Sequence, residues 1–153
     1  MYKRQASTHP GEEEILLDAH RALKGFFPSL LTVIVPRHPH RGEAIARATA
    51  ASGLHVALRS REEPLAAGTD IYIADTMGEL GLFYRMAGIV FMGGSLVEHG
   101  GQNPIEAVKL GAAIVHGPHV FNFADVDVYK RQASTGMIDR SLADMIDETL
   151  PRR

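Results

Sequence analysis

Residues 89–115 read IVFMGGSLVEHGGQNPIEAVKLGAAIV, and this stretch decides the fold. An apolar run at 89–92 leads into a glycine-rich loop, then into a helical segment with Pro104 in its first turn, and then into the apolar run 112–115. Short apolar runs without alternation are typical of strands buried on both faces of a parallel sheet. Proline is well tolerated in a first helical turn. The stretch therefore predicts a strand, a helix over 104–110 and a second, parallel strand.

The same alternation of strands and helices extends through most of the chain. Apolar residues recur with helical spacing in residues 12–24, 42–52 and 79–87, and a terminal helix is expected over 141–150. Further short apolar runs predict strands over 31–35, 55–58 and 71–74. This order predicts an α/β fold, with a doubly wound, mainly parallel Rossmann-like sheet and helices on both faces. In such folds ligands bind beyond the carboxyl ends of the strands.

Composition narrows the classes of function. The chain has 153 residues, of which 45% are apolar, enough for the core of one domain. Its 16 basic and 18 acidic residues leave a net charge of −2, which argues against nucleic acid or anionic lipid as a partner. Without cysteine there is no disulfide or thiolate metal site. His38 and His40 lack a nearby carboxylate pattern, so no metal is expected there. No other cofactor is expected either.

The heptamer YKRQAST occurs twice, at residues 2–8 and 129–135. One interpretation is a duplicated basic binding element. The other, which we favour, is a remnant foreign to the natural chain at both ends. Under that interpretation residues 1–5 are a leader, residues 6–127 form the natural domain, and residues 128–153 are a foreign or divergent tail.

The glycine-rich loop is the strongest candidate for a ligand site. Glycines such as Gly94 let the backbone approach a ligand closely, and free N–H groups at the start of the next helix favour an anion. The loop therefore predicts phosphate binding through Gly94 and Ser95. Asn103 is expected to cap the helix. Glu106 suits either a ribose diol or simple compensation of the helix dipole.

Other polar segments also follow predicted strands. Arg37, fixed by Pro36, suits either a bidentate grip on phosphate or carboxylate, or a solvated turn. Asp75 and Thr76 are expected to cap the next helix, although the same loop could grip a base edge while Met77 packs on the ring. Residues 7–13 suggest either a helix cap or a second phosphate or sugar-carboxylate contact. Residues 117–123 are expected to close the same cleft from the other side.

Six motifs in order resemble one known family. They are residues 6–13 (ASTHPGEE), 36–41 (PRHPHR), 75–80 (DTMGEL), 93–95 (GGS), 100–106 (GGQNPIE) and 117–123 (GPHVFNF). Over residues 6–124 this set resembles the C-terminal half of the 3-deoxy-D-manno-octulosonic acid (Kdo) transferases. The resemblance implies a CMP-Kdo donor-binding domain, over residues 6–127, of an inverting GT-B glycosyltransferase. It also implies transfer of Kdo to lipid A precursor in lipopolysaccharide biosynthesis, at the cytoplasmic face of the inner membrane.

The resemblance implies a set of contacts to the donor nucleotide. They are Ser7, Thr8, Pro36, Arg37, Met77, Gly78, Glu79, Gly94, Ser95, Asn103 and Glu106. Arg37, Gly94 and Ser95 would contact the phosphate, Pro36 and residues 77–79 would frame the cytosine, and Glu106 would hold the ribose hydroxyls. No catalytic residue is expected in this chain, because the family's base and acceptor surface lie in an N-terminal domain.

Some features depart from the family pattern. Residues 1–5 replace the expected first strand, so one edge of the sheet is expected to be missing or improvised. Without its partner domain the chain is expected to bind donor but not to turn over, and an exposed apolar face is expected to promote self-association. Two alternatives stay open at this point: a UDP-sugar transferase or epimerase, and a non-catalytic flavodoxin-like binding module.

Overall fold

A computed structural model describes residues 2–123 of the chain. Six strands are present, namely β1 (Tyr2–Thr8), β2 (Leu31–Pro36), β3 (Val56–Leu58), β4 (Ile71–Ile73), β5 (Ile89–Met92) and β6 (Ala113–Val115). Four α-helices connect them, namely α1 (Glu12–Lys24), α2 (Gly42–Ala51), α3 (Leu80–Met86) and α4 (Ile105–Lys109). Single turns of 3₁₀ helix span Pro39–Arg41 and Phe121–Phe123.

All six strands form one parallel sheet in the order β3-β4-β2-β1-β5-β6. β1 lies near its centre, paired with β2 on one side and β5 on the other. The chain builds outward from β1 to β2, and after β4 it crosses to the opposite side to form β5 and β6. The predicted doubly wound, parallel α/β fold is confirmed.

Helices cover both faces of the sheet, because strands β2 to β6 present apolar side chains to both. On one face Leu17 of α1 and Ile45 of α2 pack against Ile34, Leu58 and Ile71. On the other face the apolar side chains of α3 and α4 pack against those of the strands. The residues of that second core include Val33, Tyr72, Phe83, Tyr84, Val90, Met92 and Ala107.

The first strand corrects one sequence expectation. Residues 1–5 were expected to leave one edge of the sheet missing or improvised, yet residues 2–8 form a strand near its centre, bonded to β2 on one side and β5 on the other. The backbone of a strand can pair with its neighbours whatever side chains it carries, so a polar sequence does not exclude a central position. Whether this segment is native to the chain stays a prediction.

The connection from β3 to β4, residues 59–70, contains no helix. In the described residues, the predicted helices and strands begin and end within one or two positions of their expected bounds. The helix expected over 141–150 lies outside the described residues. Among residues 2–123, no helix is both long and apolar enough to cross a membrane.

A buried acid stabilises the amino edge of the sheet. Asp70 precedes β4, is 4% exposed and forms an ion pair with Lys24 at the end of α1. The backbone N–H of His55 donates to its Oδ2 atom at 2.9 Å. Buried His20 lies beside it, with its Nε2 atom 3.9 Å from Asp70 Oδ1 and its Nδ1 atom 2.9 Å from Thr32 Oγ1. This cluster ties the end of α1 to the starts of three strands.

Candidate functional site

The carboxyl ends of β1 and β5 form the topological switch point of the sheet. The two strands are neighbours, but the chain leaves β1 for α1 on one face and leaves β5 for α4 on the other. The diverging connections open a crevice, which is where doubly wound sheets bind their ligands. Residues 7–11 border this crevice on one side and residues 93–104 on the other.

Glu12 joins the two sides of the crevice. This first residue of α1 is fully buried, and its carboxylate accepts four backbone hydrogen bonds. Gly94 N and His9 N donate to Oε2 at 2.7 and 2.9 Å, whereas Ser95 N and Leu96 N both donate to Oε1 at 3.0 Å. Three successive N–H groups of the glycine loop thus converge on one anion, as in an anion-binding nest. The sequence placed this glutamate in a segment, residues 7–13, that suggested either a helix cap or a second ligand contact.

A β-bulge at Ser7 shapes the end of β1. Ser7 has φ of 60°, and the pairing with β2 shifts between Ala6 and Thr8 at this point. A left-handed conformation at a non-glycine residue costs about 1–2 kcal/mol, and bulges of this kind often lie next to functional sites. The Oγ1 atom of Thr8 is buried here and has no hydrogen-bond partner among the described residues. Of the two interpretations of residues 7–13, a helix cap supplied by Thr8 is not observed, since Gly11 is the N-cap residue of α1 and the cap has no side-chain hydrogen bond.

Two histidines face each other across the crevice. The rings of His9 and His99 lie 3.9 Å apart between centroids, and Gln102 Nε2 lies 3.3 Å from His9 Nε2. Burial, and then the neighbouring His99, lower the pKa of His9. Gly94 approaches both rings so closely that a Cβ there would lie 3.2 Å from His99 and 3.3 Å from His9. The close rings and the positive φ of 73° therefore both favour glycine at residue 94.

The end of β2 supplies an unpaired cation. Arg37 is exposed, and its guanidinium forms no ion pair within the described residues, while its backbone N–H donates to Thr8 O at 3.2 Å. Arg41, by contrast, is paired with Glu13, because its Nη1 atom donates to Glu13 Oε1 at 2.9 Å. Pro36 is buried as the last residue of β2. Arg37 thus has a guanidinium free to meet an anion at the carboxyl edge of the sheet.

Glu79 holds the loop after β4 in place. Arg59 donates to Glu79 through Nε at 3.1 Å and Nη2 at 2.7 Å, and the Thr76 hydroxyl also contacts this carboxylate. Hydrogen bonds from Arg59 and then Thr76 lower the pKa of Glu79 to about 2. Met77 is 80% exposed at the tip, and Gly78 has φ of 82°. A cavity of about 770 Å³ lies beside this loop.

The expected cap at Asp75 is wrong. Ser60 donates to the buried Asp75 carboxylate through its backbone N–H at 2.9 Å and its hydroxyl at 2.7 Å. The first residue of α2, Gly42, packs so tightly against Asp75 that no Cβ fits there. Asp75 therefore joins the β3 and β4 loops and does not cap α3, which has no side-chain cap bond.

The start of α4 brings a further carboxylate to this edge of the sheet. Asn103 Oδ1 accepts a hydrogen bond from Ile105 N at 3.0 Å, so it caps the helix from one position before the N-cap residue. Glu106 is exposed, and its Oε1 atom lies 3.3 Å from the Cβ position of Gly81. Burial, and then Glu106, raise the pKa of Tyr84 to about 12. A cavity of about 360 Å³ borders Asn103, Ile105 and Glu106.

The segment after β6 closes over the glycine loop, as expected. Gly117 N donates to Ser95 Oγ at 2.8 Å, and His119 N donates to Ser95 O at 3.0 Å. Asn122 Nδ2 donates to the His99 carbonyl at 2.9 Å. Ser95 is fully buried, and its hydroxyl also donates to Met92 O at 2.5 Å. The hydroxyl and the amide of Ser95 are therefore both used within the protein.

All eleven predicted contact residues lie along the carboxyl edge of four neighbouring strands, β4, β2, β1 and β5, or in the first turn of α4. Their contact with a donor stays a prediction. Sequence reasoning did not single out three residues of the crevice, Glu12, His9 and His99. Their partners are distant in the chain, 82 residues in the case of Glu12 and Gly94, so no local pattern indicates them.

The fold and this edge define a Rossmann-like ligand-binding domain of the kind found in nucleotide-sugar enzymes. The chain is similar to the "C-terminal CMP-Kdo binding domain of WaaA from Acinetobacter baumannii", with a TM-score of 0.86 and 32% identity, covering 97% of this chain and 78% of that one. The expected half of a GT-B glycosyltransferase is thus confirmed.

Curated relatives agree. The chain is 43% identical over 121 residues to 3-deoxy-D-manno-octulosonic acid transferase of Haemophilus influenzae. The aligned region covers 79% of this chain and 28% of the relative. It is 41% identical over 131 residues to a probable mitochondrial Kdo transferase of Arabidopsis thaliana, in an alignment that covers 84% of this chain and 29% of the relative. No protein-family profile matches. The chain belongs to the Kdo transferase family, as its motifs predicted, and spans less than a third of these relatives.

Proposed function

We propose that this chain binds CMP-Kdo, as the donor domain of an inverting transferase that adds Kdo to lipid A precursor. The observation that carries the proposal is the arrangement of the carboxyl edge, where four adjacent strands bring together polar residues from four separate sequence motifs. The likeness to a solved CMP-Kdo binding domain supports the same ligand.

The chemistry of the edge suits a nucleotide joined to an acidic sugar. Arg37 offers an unpaired guanidinium, and such groups bind phosphate and carboxylate oxygens in a two-pronged geometry. The exposed Glu106 offers acceptor oxygens for a ribose diol. The exposed thioether of Met77 can pack on a pyrimidine ring. Arg37 holds the phosphate in this proposal, Met77 covers the base, and Glu106 fixes the ribose.

Calorimetric titration of the chain with CMP tests the proposal, with UMP and UDP as competitors for the same site. We expect saturable binding of CMP and at least about tenfold weaker binding of UMP and UDP, since a mismatched base edge leaves a polar group unpaired. Preference for UDP would instead support a UDP-sugar transferase or epimerase. A folded chain that binds none of the three would contradict the proposal.

Matched variants assign the binding to this edge. We expect Arg37→Ala to weaken CMP binding about tenfold or more, because a charge-assisted contact to phosphate is lost. Arg47→Ala is the control, since Arg47 is an equally exposed arginine in α2. Glu106→Ala is expected to weaken CMP binding, and Glu14→Ala in α1 is its control. Indifference to both Arg37→Ala and Glu106→Ala would favour a binding module with a different ligand.

The acceptor and the cellular location are the finer part of the proposal. Transfer to lipid A precursor at the cytoplasmic face of the inner membrane follows from the family alone, and it needs an acceptor and a base that we place outside this chain. Self-association is proposed through apolar side chains exposed on α3 and α4, namely Leu82, Met86 and Ile105. Sedimentation that gives a monomer at high concentration would exclude it.

A further inference from the structure

Three consecutive glutamates begin α1, and their surroundings differ completely. Glu14 is exposed, and Glu13 is buried with its carboxylate paired to Arg41. Glu12 is buried and forms no ion pair within residues 2–123, and its two oxygens accept four backbone hydrogen bonds at 2.7–3.0 Å. Only Glu12 reaches across the crevice, so its role differs from the helix-dipole role that would suit all three.

The site that Glu12 fills resembles a site for an external anion. Successive N–H groups of Gly94, Ser95 and Leu96 point to one place, the arrangement that holds phosphate in many nucleotide-binding loops. The occupant here belongs to the protein. Both carboxylate oxygens carry two N–H donors each, so the nest has no further donor for a ligand oxygen.

We propose that Glu12 is the positioning residue of the donor site, an internal anion that permanently fills the glycine-loop nest. By holding residues 94–96 it fixes Gly94 at φ of 73° and keeps His9 and His99 facing each other over the crevice. The anionic groups of the donor are then bound by side chains beside the nest, Arg37 foremost, and not by the N–H groups of Gly94 and Ser95. The binding part of this inference rests on the proposed function.

An alanine variant with an added anion tests the inference. In Glu12→Ala the four N–H groups lose their acceptor, and we expect faster amide exchange over residues 93–97 and about tenfold weaker CMP binding. Acetate or formate at high concentration is expected to enter the vacated space, and to restore both the exchange protection and most of the CMP affinity. Chloride at the same ionic strength is expected to restore neither.

The neighbouring glutamates provide matched controls. Glu14→Ala is expected to leave exchange and CMP binding unchanged. Glu13→Ala loses the pair with Arg41 but keeps the nest filled, so its amide exchange over 93–97 should not respond to acetate. Glu12→Gln retains the shape, yet its NH₂ group meets two N–H donors in either orientation. We therefore expect it to resemble Glu12→Ala without rescue by acetate.

The two proposals can fail separately. If the unaltered chain does not bind CMP, the proposed function fails, and the exchange of residues 93–97 in Glu12→Ala with and without acetate still decides the role of Glu12. If Glu12→Ala is folded by circular dichroism, binds CMP as tightly as the unaltered chain and keeps its amide protection, Glu12 does not position the loop. Loss of CMP binding without any recovery in acetate would also overturn the inference.

Discussion

Glu12 and Asp70 are both buried carboxylates, one at the carboxyl edge of the sheet and the other at the amino edge. In the part of the chain that the structure describes, the four hydrogen-bond donors to Glu12 are backbone N–H groups, whereas Asp70 has a lysine, a backbone N–H and two histidines around it. Lys24 is 35% exposed on its side chain, so it can move into water if its partner is lost. The four N–H groups around Glu12 are fixed in the backbone and have no such alternative.

The difference implies two structural roles: Glu12 fixes the position of a loop, whereas Asp70 attaches a helix to the sheet. Fixed donors require an acceptor at one place, and they tolerate no change in its chemistry. A flexible cation accepts rearrangement, so the amino edge ties α1 to the sheet without fixing any loop. The crevice is built on the first kind of contact, which suits the donor site that we propose there, since such a site must keep its shape.

The largest expected effect is at Glu12. Glu12→Gln is expected to lower the free energy of unfolding by about 4 kcal/mol, because two buried N–H groups lose their acceptor in either orientation of the amide. Unfolding in urea at pH 7 measures this value. Glu14 lies two residues further along α1 and is exposed, so the free energy of unfolding of Glu14→Gln should stay within about 0.5 kcal/mol of that of the unaltered chain. Equal stabilities of the two variants would remove the distinction between the two carboxylates.

The second expected effect is a loss of stability in acid at the amino edge. Burial, and then Lys24 and Arg21, lower the pKa of His20 to about 4 from 6.5. The unfolded chain therefore binds a proton between these pH values that the folded chain does not. Stability is complete above pH 6.5, and about 3 kcal/mol of it is lost as the pH falls to 4. Urea unfolding at pH 7, 5.5 and 4 measures the loss, which His20→Gln should abolish.

A smaller effect is expected at Asp70. Asp70→Asn keeps an acceptor for the N–H of His55 and releases Lys24 to water, so we expect a loss of about 2 kcal/mol in the free energy of unfolding. The comparison with Glu12→Gln is the informative one, because both variants replace a carboxylate by its amide. A larger loss for Asp70→Asn than for Glu12→Gln would reverse our assignment of the two sites.

The smallest expected effect separates backbone strain from ring contact in the glycine loop. Gly94 and Gly53 have φ of 73° and 81°, but only Gly94 faces neighbouring rings, and the Cβ of Gly53 would meet nothing within 4 Å. Gly53→Ala is expected to cost about 1 kcal/mol, and Gly94→Ala about 1.5 kcal/mol with weaker CMP binding. Thermal melts and CMP titration measure both. If Gly53→Ala also bound CMP more weakly, the weaker binding of Gly94→Ala could not be attributed to the ring contacts in the crevice.

Most of the fold could be predicted from the sequence, because local periodicity determines it. The spacing of Leu16, Ala19 and Leu23 predicted α1 with its observed bounds, and short β-branched runs predicted strands β2 to β6 within one or two residues. β1 could not be predicted, since its polar sequence carries no apolar pattern. Its position depends on pairing with two other strands, one of which lies more than eighty residues away.

The site was predictable only in outline. That polar residues follow strands is visible in the sequence, and so the edge that carries Arg37, Gly94 and Glu106 was expected. Which of three identical neighbours at residues 12–14 becomes a buried anchor depends on the rotation of α1 against a loop formed much later in the chain. Asp75 was misassigned for the same reason, because its true partner, Ser60, lies in another loop.

The central place of β1 has a consequence for the order of folding. Its pairing with β2 joins Tyr2 to Leu31, whereas its pairing with β5 joins Lys3 to Ile89, and the bond from Glu12 to Gly94 spans 82 residues. Closing a loop of that length carries an entropy cost that short connections avoid, so contacts of this range tend to form late. The unit from β1 to β4 can then assemble while the crevice is still open. We therefore expect the carboxyl edge around the crevice to be the last part of the sheet to acquire its shape.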